Sequence, residues 1–185
     1  MKANTKKMVY AALMAALVLV GSAIRITLPI DIAGTTSFHL GNIMCALAGI
    51  LLGPAWGAGA AGIGSMLYDW TNPLFFSESW LTLITKAVYG LVAGLVARPD
   101  KHPNMSYRRM VVASVGGAVS YAIIYLLKSF FYNGLFLAHL SPAAAGLTLL
   151  GKLPATIFNA VIAIVCAPLL GKAIRGALTL RPSKL

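Results

Sequence analysis

The chain has 185 residues, of which 59% are hydrophobic and only 10% are charged. Soluble domains carry about 25% charged residues, so this composition excludes an ordinary water-soluble domain. The formal net charge of +11 would suit a nucleic-acid-binding protein. We reject that interpretation because the basic residues stand in short clusters between apolar spans, as they do in membrane proteins.

Six helices are predicted, and proline and glycine mark several of the turns between them. Their approximate bounds in chain order are 7–27, 38–52, 55–70, 80–97, 110–132 and 149–174. The second and third are short for a span, which needs roughly 20 apolar residues, so we expect kinks or loops folded into the membrane face. The fold class is therefore an all-α membrane protein, a single six-transmembrane-helix bundle over residues 1–185.

The distribution of lysine and arginine predicts that both termini are cytoplasmic. With the N-terminus inside, the cytoplasmic segments hold eleven of the fifteen basic residues, which follows the positive-inside rule. An odd number of helices would break this pattern. We therefore expect a multi-pass membrane protein, with the lipid bilayer and no nucleic acid among its partners.

The remaining four basic residues fall inside predicted helices or at their outer ends. They are Arg25, Lys86, Lys128 and Lys152. A charge in the bilayer costs at least about 2.5 kcal/mol, so it usually faces a cavity or a partner. We expect an outward-facing polar pocket here. For Arg25 and Lys128, snorkelling of the side chain to the head groups is an equally good interpretation.

Polar and aromatic residues at the same level complete a predicted substrate site, because ligand sites combine apolar walls with a few polar groups. The candidates are Thr35, Thr36, His39, Asn42, Asp69, Trp70, Asn72, Lys86, Tyr125, Lys128 and Lys152. An interfacial aromatic belt would explain Trp70 equally well, and His39 could be a capping or interface residue. Asn159, in the last helix, is interpreted as a helix–helix hydrogen bond.

The first predicted helix carries two overlapping alanine pairs, Ala11/Ala15 and Ala12/Ala16. Residues four apart share a helix face, and small residues there let another backbone approach closely. Docking of a partner protein and packing inside the bundle are equal alternatives. The predicted partner-binding residues are Ala11, Ala12, Ala15 and Ala16.

The sequence contains no motif that predicts an enzyme, a metal site or a cofactor. It has no nucleotide-binding P-loop, no HExxH motif and no carboxylate pair, so we expect neither ATP hydrolysis nor catalysis. Cys45 and Cys166 lie in apolar runs without metal-ligand spacing and are expected to be buried thiols.

Four stretches of the chain together resemble the substrate-binding (S) components of energy-coupling factor (ECF) transporters, the vitamin-uptake branch of the ABC transporters. They are the alanine pairs, FHLGN at 38–42 leading to LLGPAWG at 51–57, GIGS at 62–65 leading to Asp69, and residues 152–159. The resemblance implies six helices, a vitamin pocket near the outer face and a lid at 30–39. It also implies docking of the alanine face on a transmembrane coupling protein that works with two ATPase subunits.

The expected function is therefore a binding subunit that captures a vitamin or related micronutrient from outside. The four cations favour an anionic ligand such as pantothenate or a folate-like compound. A neutral pyrimidine or a corrinoid remains open, because Asp31, Asp69 and Glu78 could offset the cations. The alternative function is a stand-alone small secondary transporter or an intramembrane enzyme.

Overall fold

A computed structural model describes the backbone of residues 3–28, 36–102 and 104–179. Six α-helices and one antiparallel β-hairpin form this part of the chain. In chain order they are α1 (Ala3–Ala23), β1 (Arg25–Leu28), β2 (Thr36–His39), α2 (Gly41–Leu52), α3 (Pro54–Trp70), α4 (Ser79–Ala97), α5 (Tyr107–Lys128) and α6 (Pro142–Thr179). A 3₁₀ turn at Phe76–Glu78 precedes α4, and a π-helix at Ser129–Leu137 continues α5.

Four helical segments of the described chain are long and apolar enough to cross a membrane. They are Thr5–Ala23, Phe76–Ala97, Tyr107–Leu137 and Pro142–Ala177. Helix α2 is apolar but has 12 residues, which extend only about 18 Å at 1.5 Å per residue. The prediction of an all-α membrane protein is confirmed, whereas the count of six spans stays a prediction.

Three predicted boundaries are wrong. The second predicted helix begins at Gly41 rather than at 38, because Phe38 and His39 belong to strand β2. Local sequence explains the other two. Helix α1 ends at Ala23, and Arg25–Leu28 forms a strand instead of the end of a helix. The β-branched Ile26 and Thr27 favour a strand, and the proline after Leu28 disfavours helical backbone there. The predicted connection at 133–147 is also mostly helical, because Pro142 begins α6, a position that suits proline.

The middle of the bundle is held together by direct contact between helix backbones. A Cβ atom at Gly90 would lie 2.3 Å from the carbonyl oxygen of Gly57, and one at Gly49 would lie 2.6 Å from that of Gly90. Only glycine fits at such distances, so α2, α3 and α4 pack without intervening side chains. Gly57, Gly62 and Gly64 of α3 thus serve internal packing.

Candidate functional site

One end of the bundle encloses a polar cavity. Its walls come from the C-terminal halves of α1, α3 and α5, the N-terminal halves of α4 and α6, and both strands of the hairpin. The centre of a water-sized molecule can occupy about 130 Å³ of it. One water needs roughly 10–15 Å³ on this measure, so the cavity has room for a small organic molecule.

Six of the predicted substrate-site residues line this cavity. They are His39, Asp69, Lys86, Tyr125, Lys128 and Lys152. Asn42 and Asn72 touch the lining instead: Asn42 Oδ1 accepts a hydrogen bond from Lys86, and Asn72 Nδ2 donates one to the Tyr68 hydroxyl at 3.2 Å. Their roles in binding stay predictions.

The other three predicted residues do not contribute described side chains to the cavity. Trp70 is 53% exposed, and its indole N–H donates to Ser79 Oγ at 3.2 Å, which fits the interfacial-belt interpretation. The backbone of Thr36 pairs with Leu28 in the hairpin. Thr35 lies outside the described residues, as does most of the predicted lid at 30–39.

Lys86 is a buried cation with neutral partners. It is 5% exposed, donates to Asn42 Oδ1, and places its Nζ atom 3.9 Å from the centre of the Tyr121 ring. Among the described residues it forms no ion pair with a carboxylate. Because an amide and a ring cannot neutralise the ammonium group, the cavity keeps a positive charge at this point.

Glu78 joins the start of α4 to the π-helix. Its carboxylate accepts hydrogen bonds from Lys128 Nζ and Asn133 Nδ2. In an α-helix, residues five apart lie about 140° apart around the axis, so they could not both reach Glu78. The wider π-helical turn, with its i to i+5 repeat, brings Lys128 and Asn133 to one face.

Arg25 reaches the cavity from strand β1. Its guanidinium lies 4.4 Å from the centre of the Tyr68 ring and 4.5 Å from that of Phe75. Its Nε donates to the Ser22 carbonyl at 3.1 Å. Arg25 and Lys128 both line the cavity. This geometry fits a polar pocket better than it fits side chains that snorkel to the head groups.

His39 faces the same cavity from strand β2. Burial lowers the pKa of His39 well below its usual range, and the nearby Lys86 and Arg25 lower it further. The imidazole is therefore neutral at physiological pH. Its backbone N–H donates to Asn159 Oδ1 at 3.0 Å, so the prediction that Asn159 joins two helices is wrong: it joins α6 to a strand.

A family model described as "ECF-type riboflavin transporter, S component" matches residues 2–176. The chain belongs to this family. The predicted resemblance to ECF S components is thereby confirmed, and the family consists of transporter subunits rather than enzymes. No curated protein matches the chain.

The alanine pairs of this S component face two directions. Ala11 and Ala15 are half-buried, whereas Ala12 and Ala16 are exposed. A Cβ atom at Gly64 of α3 would lie only 2.3 Å from the Ala15 carbonyl oxygen. The Ala11/Ala15 pair thus lies on the packed side of α1, and the Ala12/Ala16 pair remains open to a partner.

Several lining residues of the S component were not selected from the sequence. They are Ser22, Ser37, Ser65, Thr82, Thr85, Tyr121, Ser129 and Thr156. Helical spacing could have found five of them, because each lies four residues from a predicted site residue. They are Tyr121 and Ser129 beside Tyr125, Thr82 beside Lys86, Thr156 beside Lys152, and Ser65 beside Asp69. This spacing is a weak signal for serine and threonine, since hydroxyl residues are common in membrane helices for other reasons.

Proposed function

We propose that the protein is the substrate-binding subunit of an ECF-type transporter in the bacterial cell membrane. It captures a vitamin or related micronutrient from outside and delivers it through an ATP-driven module, made of a transmembrane coupling protein and two ATPase subunits. The observation that carries the proposal is the polar cavity inside an otherwise apolar bundle of this family.

The proposed topology has six spans with both termini in the cytoplasm. The basic clusters of the sequence lie at the bundle end opposite the cavity, in the α4–α5 connection and the last turns of α6. The positive-inside rule assigns that end to the cytoplasm. The cavity then opens to the outside, where an uptake system meets its ligand.

The charges on the cavity wall favour a vitamin with an anionic group, such as pantothenate or a folate-like compound. The described lining has four cations and two carboxylates, Asp69 and Glu78. Glu78 is paired with Lys128, and Asp69 interacts electrostatically with Arg25 and Lys86, so cations outnumber carboxylates on the described lining. A ligand carboxylate or phosphate would offset this excess through charge-assisted hydrogen bonds.

Riboflavin is the second candidate ligand, because the description of the matched family names it. It is neutral, and the stacked rings of Tyr121 and Tyr125, 5.7 Å apart, offer a flat wall for its ring system. The charges of the cavity thus favour an anionic vitamin, whereas its aromatic wall favours riboflavin. Measuring the affinity for both kinds of ligand decides between them.

The test is isothermal titration of the purified chain with pantothenate, folate and riboflavin. For an anionic ligand, we expect Lys86→Met to weaken binding about 10- to 100-fold, or about 1.4–2.7 kcal/mol, without loss of the fold. Lys172→Met is the control, because Lys172 is exposed at the far end of α6. Unchanged affinity in Lys86→Met would show that the ligand does not use this cation.

The energising module needs its own experiment. In proteoliposomes, we expect uptake only when the coupling protein and ATPases are present with ATP. Uptake by the chain alone would contradict the proposal and favour a stand-alone secondary transporter.

A further inference from the structure

Strand β2 is hydrogen-bonded along both of its edges. Strand β1 pairs with one edge, in the register Arg25 to His39. At the other edge, the Asn159 side chain accepts from the His39 N–H at 3.0 Å and donates to the Ser37 carbonyl at 2.8 Å. In a parallel sheet, one residue forms hydrogen bonds with two residues of the next strand that are two positions apart, as His39 and Ser37 are. The Asn159 carboxamide therefore takes the place of a third strand at this edge.

A second contact beside Asn159 fastens the same strand. The Phe38 and Phe158 rings meet edge to face, with centres 4.6 Å apart. Because side chains alternate along a strand, Ser37 and His39 lie on the face opposite Phe38, and both line the cavity. The hairpin is thus attached to α6 at the point where it presents two side chains to the ligand space.

The His39 imidazole has an unused hydrogen-bonding atom. Its Nδ1 is buried and has no partner among the described residues. Nδ1 itself is not exposed to the cavity that His39 lines, so a bound molecule supplies the missing bond only when the ring turns toward it. A buried polar atom without a partner is unfavourable, which favours that turn. Because Lys86 and Arg25 are neighbours of the neutral ring, an electron-rich ligand atom is favoured there, and the ring would donate Nδ1–H to it.

We propose that Asn159 is a positioning residue that holds His39 in the cavity, and that His39 Nδ1 donates a hydrogen bond to an acceptor oxygen of the bound vitamin. The inference rests on the proposed function. It assigns a direct contact to the hairpin and a supporting role to α6, through a side chain that lies 120 residues away in sequence.

The chain is well suited to a direct test because it has three histidines. Labelling with ¹⁵N-histidine reports each imidazole by NMR, and His39→Gln assigns the signal of interest. His102 and His139 lie outside the cavity lining and serve as internal references. Asn159→Leu removes both bonds to β2. Asn133→Leu is the matched control, because it makes the same change on the wall that carries Glu78.

In the ligand-free protein, we expect Asn159→Leu to shift the His39 imidazole signals and to speed exchange of the His39 amide at least tenfold. Asn133→Leu should change neither. With pantothenate or riboflavin, whichever binds, we expect the wild-type His39 signals to move. Both Asn159→Leu and His39→Gln should weaken binding about tenfold or more.

Two results would overturn the inference: His39 signals that are identical in the wild type and Asn159→Leu, or unchanged affinity in His39→Gln. If neither probe binds the wild type, the proposed ligands fail, while the ligand-free comparison still decides the positioning role. Should Asn159→Leu not fold, Asn159→Gln displaces the amide by one methylene, and the same comparison applies.

Discussion

The two ends of the bundle use their basic residues in different ways. Opposite the cavity, Arg98 and Arg109 donate to backbone carbonyls at the end of α4: Arg98 Nε to Leu95 at 2.9 Å and Arg109 Nε to Ala97 at 3.0 Å. Cations placed there satisfy free carbonyls and complement the helix dipole. At the cavity end, Lys86 instead lies buried against an amide and an aromatic ring.

This difference shows that position, rather than residue type, separates a topology signal from a binding group. Arg98 is exposed and its charge is hydrated, so it needs no counter-ion. Lys86 is buried, and in the described part of the chain it forms no ion pair with a carboxylate. A bound anion is therefore expected at one end of the molecule and not at the other.

The largest expected effect concerns the partner surface on α1. We expect Ala16→Trp to reduce vitamin uptake by the complete transporter to background, because an indole prevents close approach of a partner helix to the exposed Ala12/Ala16 face. Titration of the isolated chain should give ligand affinity within about twofold of wild type, since neither alanine lines the cavity. Uptake in reconstituted vesicles is the measurement.

Two matched variants sharpen this result. Leu17→Trp changes a neighbouring side chain that is 46% exposed and already large, and we expect it to retain uptake. Ala15→Trp should lose both uptake and binding, because Ala15 packs against Gly64. Normal uptake in Ala16→Trp would place the docking surface elsewhere.

The next effect concerns the packing that connects the two ends. Gly64→Ala would put a Cβ atom 2.3 Å from the Ala15 carbonyl oxygen, so α1 and α3 must separate. Overpacking typically lowers the free energy of unfolding by about 1–3 kcal/mol. We expect a loss of about 3 kcal/mol here, because the clash is with backbone. In the same helix, a Cβ atom at Gly59 would meet nothing within 4 Å. Gly59→Ala should therefore stabilise the protein by about 0.5–1 kcal/mol, because alanine loses less conformational freedom than glycine when the helix forms.

Thermal unfolding of both glycine variants in one detergent is the measurement. Equal melting temperatures for Gly64→Ala and Gly59→Ala would mean that α1 does not pack against α3 as closely as the structure has it.

Sequence predicted the helices well because long apolar runs are a strong signal, but it missed the hairpin. Each strand has four residues, too few for a clear alternation of polar and apolar side chains. Strand β2 also depends on Asn159, a partner 120 residues away. No local pattern predicts such a bond.

The candidate site was predicted in part, for a similar reason. Lys86 and Lys152 could be selected because a cation inside an apolar run is costly wherever it lies. The sequence did not identify Glu78 as the partner of Lys128. Glu78 accepts hydrogen bonds from both Lys128 and Asn133, and these two residues lie on one face only when the helix is π-helical. π-Helical turns are rare, so no common local pattern in the sequence predicts that register.

The smallest expected effect tests whether the Glu78–Lys128 pair is a structural part of the cavity wall. The two side chains are 21% and 13% exposed, so solvent screens them only partly. We expect a double-mutant cycle of Glu78→Gln and Lys128→Met, followed by unfolding in SDS, to give a coupling energy of about 1–2 kcal/mol. Glu78→Gln combined with Lys172→Met should be additive, because Lys172 lies at the other end. Additivity in the first cycle would mean that Lys128 is available to the ligand, so that the cavity carries one more unpaired cation and favours an anionic vitamin more strongly.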